Sequence, residues 1–203
     1  MTLETWALFA ATELVLCFVP GPAVLYVVSA ALARGRRSGG AAALGIAAGN
    51  TFYFALSATG IAAVILASGE VFRALQWVGA AYLVWRGVRM LVGASEAPAA
   101  VDDRIVPRAF LRGFVVQAAN PKALVFFVAL LPQFIDPSRS IAGQIVVLGV
   151  TSQVIELAVL GLYVVAALRA RRLAGAELAA PLERIGGGFL VAAGARLALV
   201  RAG

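Results

Sequence analysis

Two glutamates, Glu13 and Glu156, stand inside long apolar runs of this 203-residue chain, whereas most of its acidic residues lie in the connections between such runs. A carboxylate in hydrocarbon is costly, so each must face a cavity, meet a partner or be protonated. Such a group can take up and release a proton and so couple transport to a proton gradient. Glu13 precedes Pro20 by seven residues and shares its helical face. Glu156 has Ser152 and Gln153 on its own face, at i−4 and i−3. The single lysine, Lys122, either neutralises one of the glutamates or lies at the membrane surface and snorkels. The structural alternatives are a buried polar pair, or a Glu13 near enough to the outer interface to stay hydrated.

Near these charges the helices carry breaks. Pro20-Gly21-Pro22 sits within the first apolar run. Proline lacks an N–H and clashes with the preceding turn, and glycine adds backbone freedom. Residues 5–33 would extend about 42 Å as one helix against about 30 Å of hydrocarbon, which leaves room for an interruption. The chain after Pro22 then begins a half-helix inside the membrane. Its unpaired N–H groups and positive dipole end make a seat for a carboxylate. Asn120-Pro121-Lys122 predicts a second break in the fourth run, with Asn120 as N-cap and Pro121 as first helical residue. A plain proline kink is the structural alternative at each place. Two kinks at matching positions favour a site.

The second run presents Asn50, Tyr53 and Ser57 on one face, and Asn50 is a candidate hydrogen-bond donor to substrate. Gly45 and Gly49, extended by Ala41, read first as a close helix-packing surface. Trp6, Trp77 and Trp85 near run ends read as interface anchors.

The elements that must position these residues follow from composition. Hydrophobic residues make up 62% and charged residues only 13%, and the mean hydropathy is +0.94. Soluble domains carry about 25% charged residues, so this composition excludes an ordinary soluble domain; it excludes disorder as well. One cysteine, Cys17, rules out an internal disulfide. The lack of histidine rules out His-ligated metal and Ser-His chemistry. The fold class is therefore all-α integral membrane, with room for about six crossings. The spans fall at about 5–33, 41–67, 71–92, 110–134, 141–168 and 184–200. Between them lie a charged turn at Arg34–Gly40, a turn at Ser68–Glu70 and a long loop at 93–109. A Pro/Ser turn follows at Asp136–Ser140, then a polar connection at Arg169–Glu183. The first run lacks a basic leader and is too long for a cleavable signal.

Arginines divide 12 to 4 between the two sides of this layout, which predicts that the arginine-rich connections are cytoplasmic and both termini outside. The +7 net charge thus reports orientation rather than a nucleic-acid partner. The third and sixth runs resemble each other: Gly79, Leu83, Val84, Gly87 and Arg89 match Gly186, Leu190, Val191, Gly194 and Arg196. The first and fourth share the prolines Pro22 and Pro121. Units of three helices repeat with inverted topology, so the expectation is two inverted three-helix repeats with helices 1 and 4 broken at proline. They form a single transmembrane domain over 1–203: repeat one about 5–92, cytoplasmic loop about 93–109, repeat two about 110–200.

Several motifs resemble the LysE/RhtB family of bacterial amino-acid exporters. They are Pro20-Gly21-Pro22 with Leu25, Arg34-Gly35-Arg36-Arg37-Ser38-Gly39 and Leu44-Gly45 with Gly49. Gly79-Ala80-Ala81-Tyr82-Leu83 with Gly87, Phe110 with Gly113-Phe114, Asn120-Pro121-Lys122 and Pro132-Gln133-Phe134 continue the series in family order. The resemblance implies six membrane helices in the bacterial inner membrane, export of amino acids or close derivatives, proton-motive coupling and self-association. Many family members carry an acidic residue where this chain has Asn50, which shifts attention to Glu13 and Glu156.

The expected substrate-binding and coupling set is Glu13, Pro20, Gly21, Pro22, Asn50, Tyr53, Asn120, Pro121, Lys122, Gln153 and Glu156, in which the half-helix N-termini and Lys122 hold the substrate carboxylate and Glu156, Glu13 or Asn50 meets the ammonium or relays a proton. The expected partners are an amino acid, protons, the lipid bilayer and a second copy of the chain in a homodimer, with no nucleic acid, no cofactor, no metal and no enzymatic activity. A metal-ion exporter would want His, Asp or Cys clusters in the spans. An intramembrane enzyme would want a catalytic pair, and a scaffold has no use for buried glutamates.

Overall fold

A computed structural model describes residues 1–58, 77, 81, 84–85, 87–89, 91–92, 105–120, 122–123, 126–174, 188, 191–192 and 195. Regular structure among the described residues is helical, without strands. Helix α1 spans Leu3–Phe18, with Thr2 as N-cap and Glu4 in the first turn, where an acidic group suits the helix dipole. It stops where the prolines require it. Val19 precedes Pro20 and takes an extended conformation, as residues before proline do. Helix α2, Pro22–Ala58, then starts on Pro22, whose missing N–H costs nothing at a first helical position.

Inside α2 the backbone leaves the helical region at Gly35, with φ 80° and ψ −169°, where only glycine is at ease. The chain folds back there, and Gly39 comes to lie against Ala31. The charged turn expected over Arg34–Gly40 is therefore compressed to Gly35, and helix resumes immediately after it. Ser38 is buried, so Arg36 and Arg37 are the exposed positions of this turn.

Helix α3, Ile105–Ala118, begins inside the segment expected as the 93–109 loop. Pro107 does not prevent this, because the first turn of a helix has no intrahelical partner for its N–H. Ala119 and Asn120 are not helical, helix is present again at Lys122 and Ala123, and Phe126–Phe134 of the expected fourth span are not regular α-helix. Phe126–Leu130 form a π-turn and Leu131–Phe134 a 3₁₀ turn that has Pro132 in its first positions. Helix α4 spans Ile141–Ala174 and runs on through Arg169, Arg171 and Arg172, which were expected in a connection. These arginines suit the negative end of the helix.

By length and composition, two described runs are long and apolar enough to cross a membrane, Ile141–Leu173 and Pro22–Ala58, the latter folded back at Gly35. The third and sixth expected spans, and with them the matched pairs that motivated the repeat, lie largely outside the described residues.

Helices α2 and α4 pass through three layers, which α1 and α3 enter in part. One layer is aromatic: Phe9 of α1, Tyr53 and Phe54 of α2, Phe126, Phe127 and Phe134, with Leu148 of α4. Another is built of small residues: Ala30, Ala31, Ala42, Ala43 and Ile46 of α2, Val116 of α3, Val164 and Ala167 of α4. Between them lie Glu13, Asn50, Gln117, Asn120, Ser152 and Glu156, all buried. The outer surface is the reverse. On α4, Val150 and Val154 are 59% and 63% exposed, while Ser152 between them is 0% exposed. Polar groups inside and valines outside suit a lipid solvent.

Small residues bring α2 and α3 together. A Cβ on Gly45 would collide with the carbonyl of Phe110, and one on Gly113 with the carbonyl of Ala42. The packing surface read from Gly45 and Gly49 is thus in direct backbone contact with α3, with Gly49 against Gln117. Arginines gather at the small-residue end, where the Arg171 guanidinium lies beside Gly35. At the other end Arg139 donates to the carbonyl of Met1, 3.3 Å away, and pairs with Asp136 at 3.2 Å.

Candidate functional site

Glu156 ends a chain of amides. Asn50 Nδ2 donates to Glu156 Oε2 at 2.5 Å. Asn50 Oδ1 accepts from Gln117 Nε2. Gln117 Oε1 accepts from Asn120 Nδ2 at 3.0 Å, and Asn120 Oδ1 accepts from the Lys122 backbone N–H at 3.1 Å. Every amide donates towards the carboxylate and accepts from behind. Three elements contribute: α2, the end of α3, and the segment where helix resumes. Asn120 does what an N-cap does, taking an N–H two residues on.

Glu13 has different company. Ser152 Oγ donates to Glu13 Oε1 at 2.5 Å, and Cys17, one turn further along α1, bonds the same side chain. Ser152 and Glu156 share a face of α4, so one helix holds one glutamate and binds the other.

A cavity of about 50 Å³ opens between these groups. That exceeds the roughly 10–15 Å³ that one water requires. Glu13, Asn50, Gln117, Lys122 and Glu156 supply its polar wall. Ala23 and Val24, in the first turn of α2, lie on it too, as do Phe126, Phe127, Val159 and Leu160. The first turn of a helix leaves N–H groups without intrahelical partners, so this wall can receive an anion.

The two breaks meet here. A Cβ on Gly21 would stand 3.9 Å from Lys122 Cδ. Lys122 Nζ donates to the carbonyl of Leu16 and, at 3.2 Å, to that of Val19. This contact adds to the roles the sequence suggests for Lys122, as counter-charge to a glutamate, as a snorkelling group or as a ligand of the substrate carboxylate. The lysine is half-buried, and its ammonium ties the end of α1 to the second break.

The structure brings Glu13, Gly21, Asn50, Lys122 and Glu156 to one cavity. Pro22 is buried and Asn120 joins through Gln117, whereas Pro20 is exposed at the outside of the break. Tyr53 is a brace: its hydroxyl donates to the Ala118 carbonyl at 2.6 Å and its ring stacks on Phe127 at 5.0 Å. Gln153 points elsewhere and donates to the Ala47 carbonyl at 2.9 Å and Thr51 Oγ1 at 3.0 Å. It sits one position past Ser152 and so turns about 100° away from it. Pro121 lies outside the described residues. Gln117, Ser152 and Cys17 were absent from the expected set. Gln117 could have been found from its i, i+3 spacing to Asn120, and Cys17 from its i, i+4 spacing to Glu13. Among the described residues no three His, Cys, Asp or Glu side chains converge as a metal ion would require.

A helical bundle with carboxylates inside, valines outside and a polar cavity between broken helices has the build of a membrane transporter. Residues 14–201 match the family model of the LysE type translocators, and the chain belongs to that family. It is a membrane translocator rather than an enzyme. It is 31% identical over 204 residues to a homoserine/homoserine lactone efflux protein of Salmonella typhi, covering 99% of both chains. A leucine efflux protein of Klebsiella pneumoniae is 32% identical over 146 residues, 68% of this chain and 67% of that one. A Vibrio cholerae protein described as an uncharacterized membrane protein is 30% identical over the full length of both chains. No solved structure matches the chain.

Proposed function

We propose that this protein exports an amino acid or close derivative across the bacterial inner membrane in exchange for protons. The observation that carries the reading is the polar layer. Two helix breaks and two buried glutamates meet there around one cavity, between two apolar layers. The substrate carboxylate sits on the first turn of α2, at Ala23 and Val24, where the helix dipole is positive. The ammonium faces Glu13 and Glu156. Glu156 is the proton carrier, because its amide partners bind it to the second break. Efflux by the Salmonella and Klebsiella relatives supports amino acids as the substrate class.

In the same reading the chain is a multi-pass protein of six spans in two inverted repeats. The arginine-bearing end faces the cytoplasm, and rocking of the repeats exposes the cavity alternately. The test is uptake into inverted membrane vesicles of labelled homoserine and leucine, with and without an imposed pH gradient. Gradient-driven accumulation of either substrate is the expected result. Equal signals from vesicles with and without the protein, across all amino acids, would overturn the reading.

A further inference from the structure

The C-terminal end of α1 is an unusual place for a helix to stop. Its last carbonyls lie at the end of the helical ladder beside the cavity, with Leu16 on the cavity wall and Phe18 and Val19 partly exposed. Three of them accept from side chains of other elements, and Leu16 O also takes the Val19 N–H. Phe18 O accepts from the Tyr163 hydroxyl at 2.9 Å, and Leu16 O and Val19 O accept from the Lys122 ammonium. Lys122 is the chain's single lysine and arrives from the second break. The end of a helix carries partial negative charge, and Glu13 and Glu156 lie on the same cavity wall. Two carbonyls aimed at one ammonium, beside carboxylates, make a cation seat.

We propose that the carbonyls of Leu16 and Val19 form an alkylammonium seat that the α-ammonium of the transported amino acid takes in turn with Lys122. The inference rests on the export reading for the identity of that second occupant. A lysine side chain and an amino acid present the same primary ammonium on a tetrahedral carbon. Lys122 is therefore a tethered stand-in, filling the seat when the cavity holds no substrate. Its stem reaches the seat past Gly21, so its departure also frees the two breaks from each other. Occupation by substrate and separation of the breaks are then one event, which links binding to rearrangement. Glu13 faces this region from α1, beside the neutral Cys17 thiol, and Glu156 faces it from α4; the two carboxylates bias the exchange without occupying the seat.

The seat has a signed test. Removing a competing occupant tightens binding of the other, whereas removing a substrate ligand weakens it. In Lys122→Ala the purified protein should bind its amino acid about tenfold tighter than the wild type and transport it more slowly. The matching 2-hydroxy acid, which lacks the ammonium, should bind both proteins alike. Ethylammonium should raise the melting temperature of Lys122→Ala and leave the wild type unchanged, because there the seat is filled. Lys122→Met keeps the aliphatic stem against Gly21 and goes through the same titrations should the alanine variant not fold. Weaker or equal amino-acid binding in the folded variant, or a melting temperature indifferent to ethylammonium, would overturn the seat. Wild-type protein that binds no amino acid would instead count against the export reading, and the ethylammonium titration would still decide the seat.

Discussion

Glu13 and Glu156 are buried on the same cavity, yet they are held in different ways. Glu156 is gripped by an amide whose own oxygen is gripped by another amide, and the chain ends on the backbone beyond the second break. Glu13 is met by a hydroxyl and a thiol, groups that can turn to donate or accept. An amide has its donor and acceptor at opposite ends, so a chain of them has a direction. Loss of charge at Glu156 removes the reason for that direction and is felt three residues away along the chain. The same event at Glu13 is absorbed by the rotation of one hydroxyl. The difference teaches that burial alone does not make a carboxylate a transmitter; its partners decide.

The largest effect that would break this comparison is on transport by Glu156→Gln. Gradient-driven efflux should fall by about 100-fold, the scale of a lost charged hydrogen bond, with membrane expression intact. Undiminished efflux would remove Glu156 from the coupling role. Glu13→Gln should cost about tenfold in the same assay, since Ser152 can pair with a neutral amide. If the order of the two were reversed, the amide chain would be scaffolding only.

Stability offers a second axis. Asn50→Leu removes the donor to Glu156 and the acceptor of Gln117 Nε2 and should destabilise the detergent-solubilised protein by about 2–3 kcal/mol. Ser152→Ala should cost about 1 kcal/mol, because Cys17 still reaches Glu13. Thermal unfolding of the two variants side by side reads the contrast, and equal losses would erase it.

The smallest effect comes from a carboxylate in the open. The Ser138 hydroxyl and N–H hold the Asp136 carboxyl below the usual carboxylate range. Its contribution is present above the unfolded value of about 3.9 and is lost as pH falls through the lowered folded value. Wild type should therefore be slightly more stable than Asp136→Asn at neutral pH, and the two should converge on that acid limb. A difference that persists below the limb would mean the turn does more than close a loop.

Much of the fold was legible because its causes are local. Pro20 and Pro22 end one helix and start another by lacking an N–H, and Asn120 caps by spacing alone. Gly45 and Gly49 announced a close approach without naming the partner, and α3 supplies it. Boundaries were read less well. Arginines at 169–172 looked like a connection, but a polar helix end projecting beyond hydrocarbon has the same composition. The turn at Gly35 looked longer than it is, because charge and glycine were counted where one positive φ suffices.

Within the site, residues one position apart had opposite fates. Ser152 binds Glu13 while Gln153 leaves for α2, since neighbours on a helix point about 100° apart and only packing says which face is inside. The sequence by itself determined the class of protein and the places where its helices break, because hydropathy and proline act within a few residues. The tertiary structure alone decided which polar groups meet. Asn50 reaches Gln117 across 67 residues of chain and Lys122 reaches Leu16 across 106. Such pairs depend on how closely and at what angle helices pack, which no local pattern encodes.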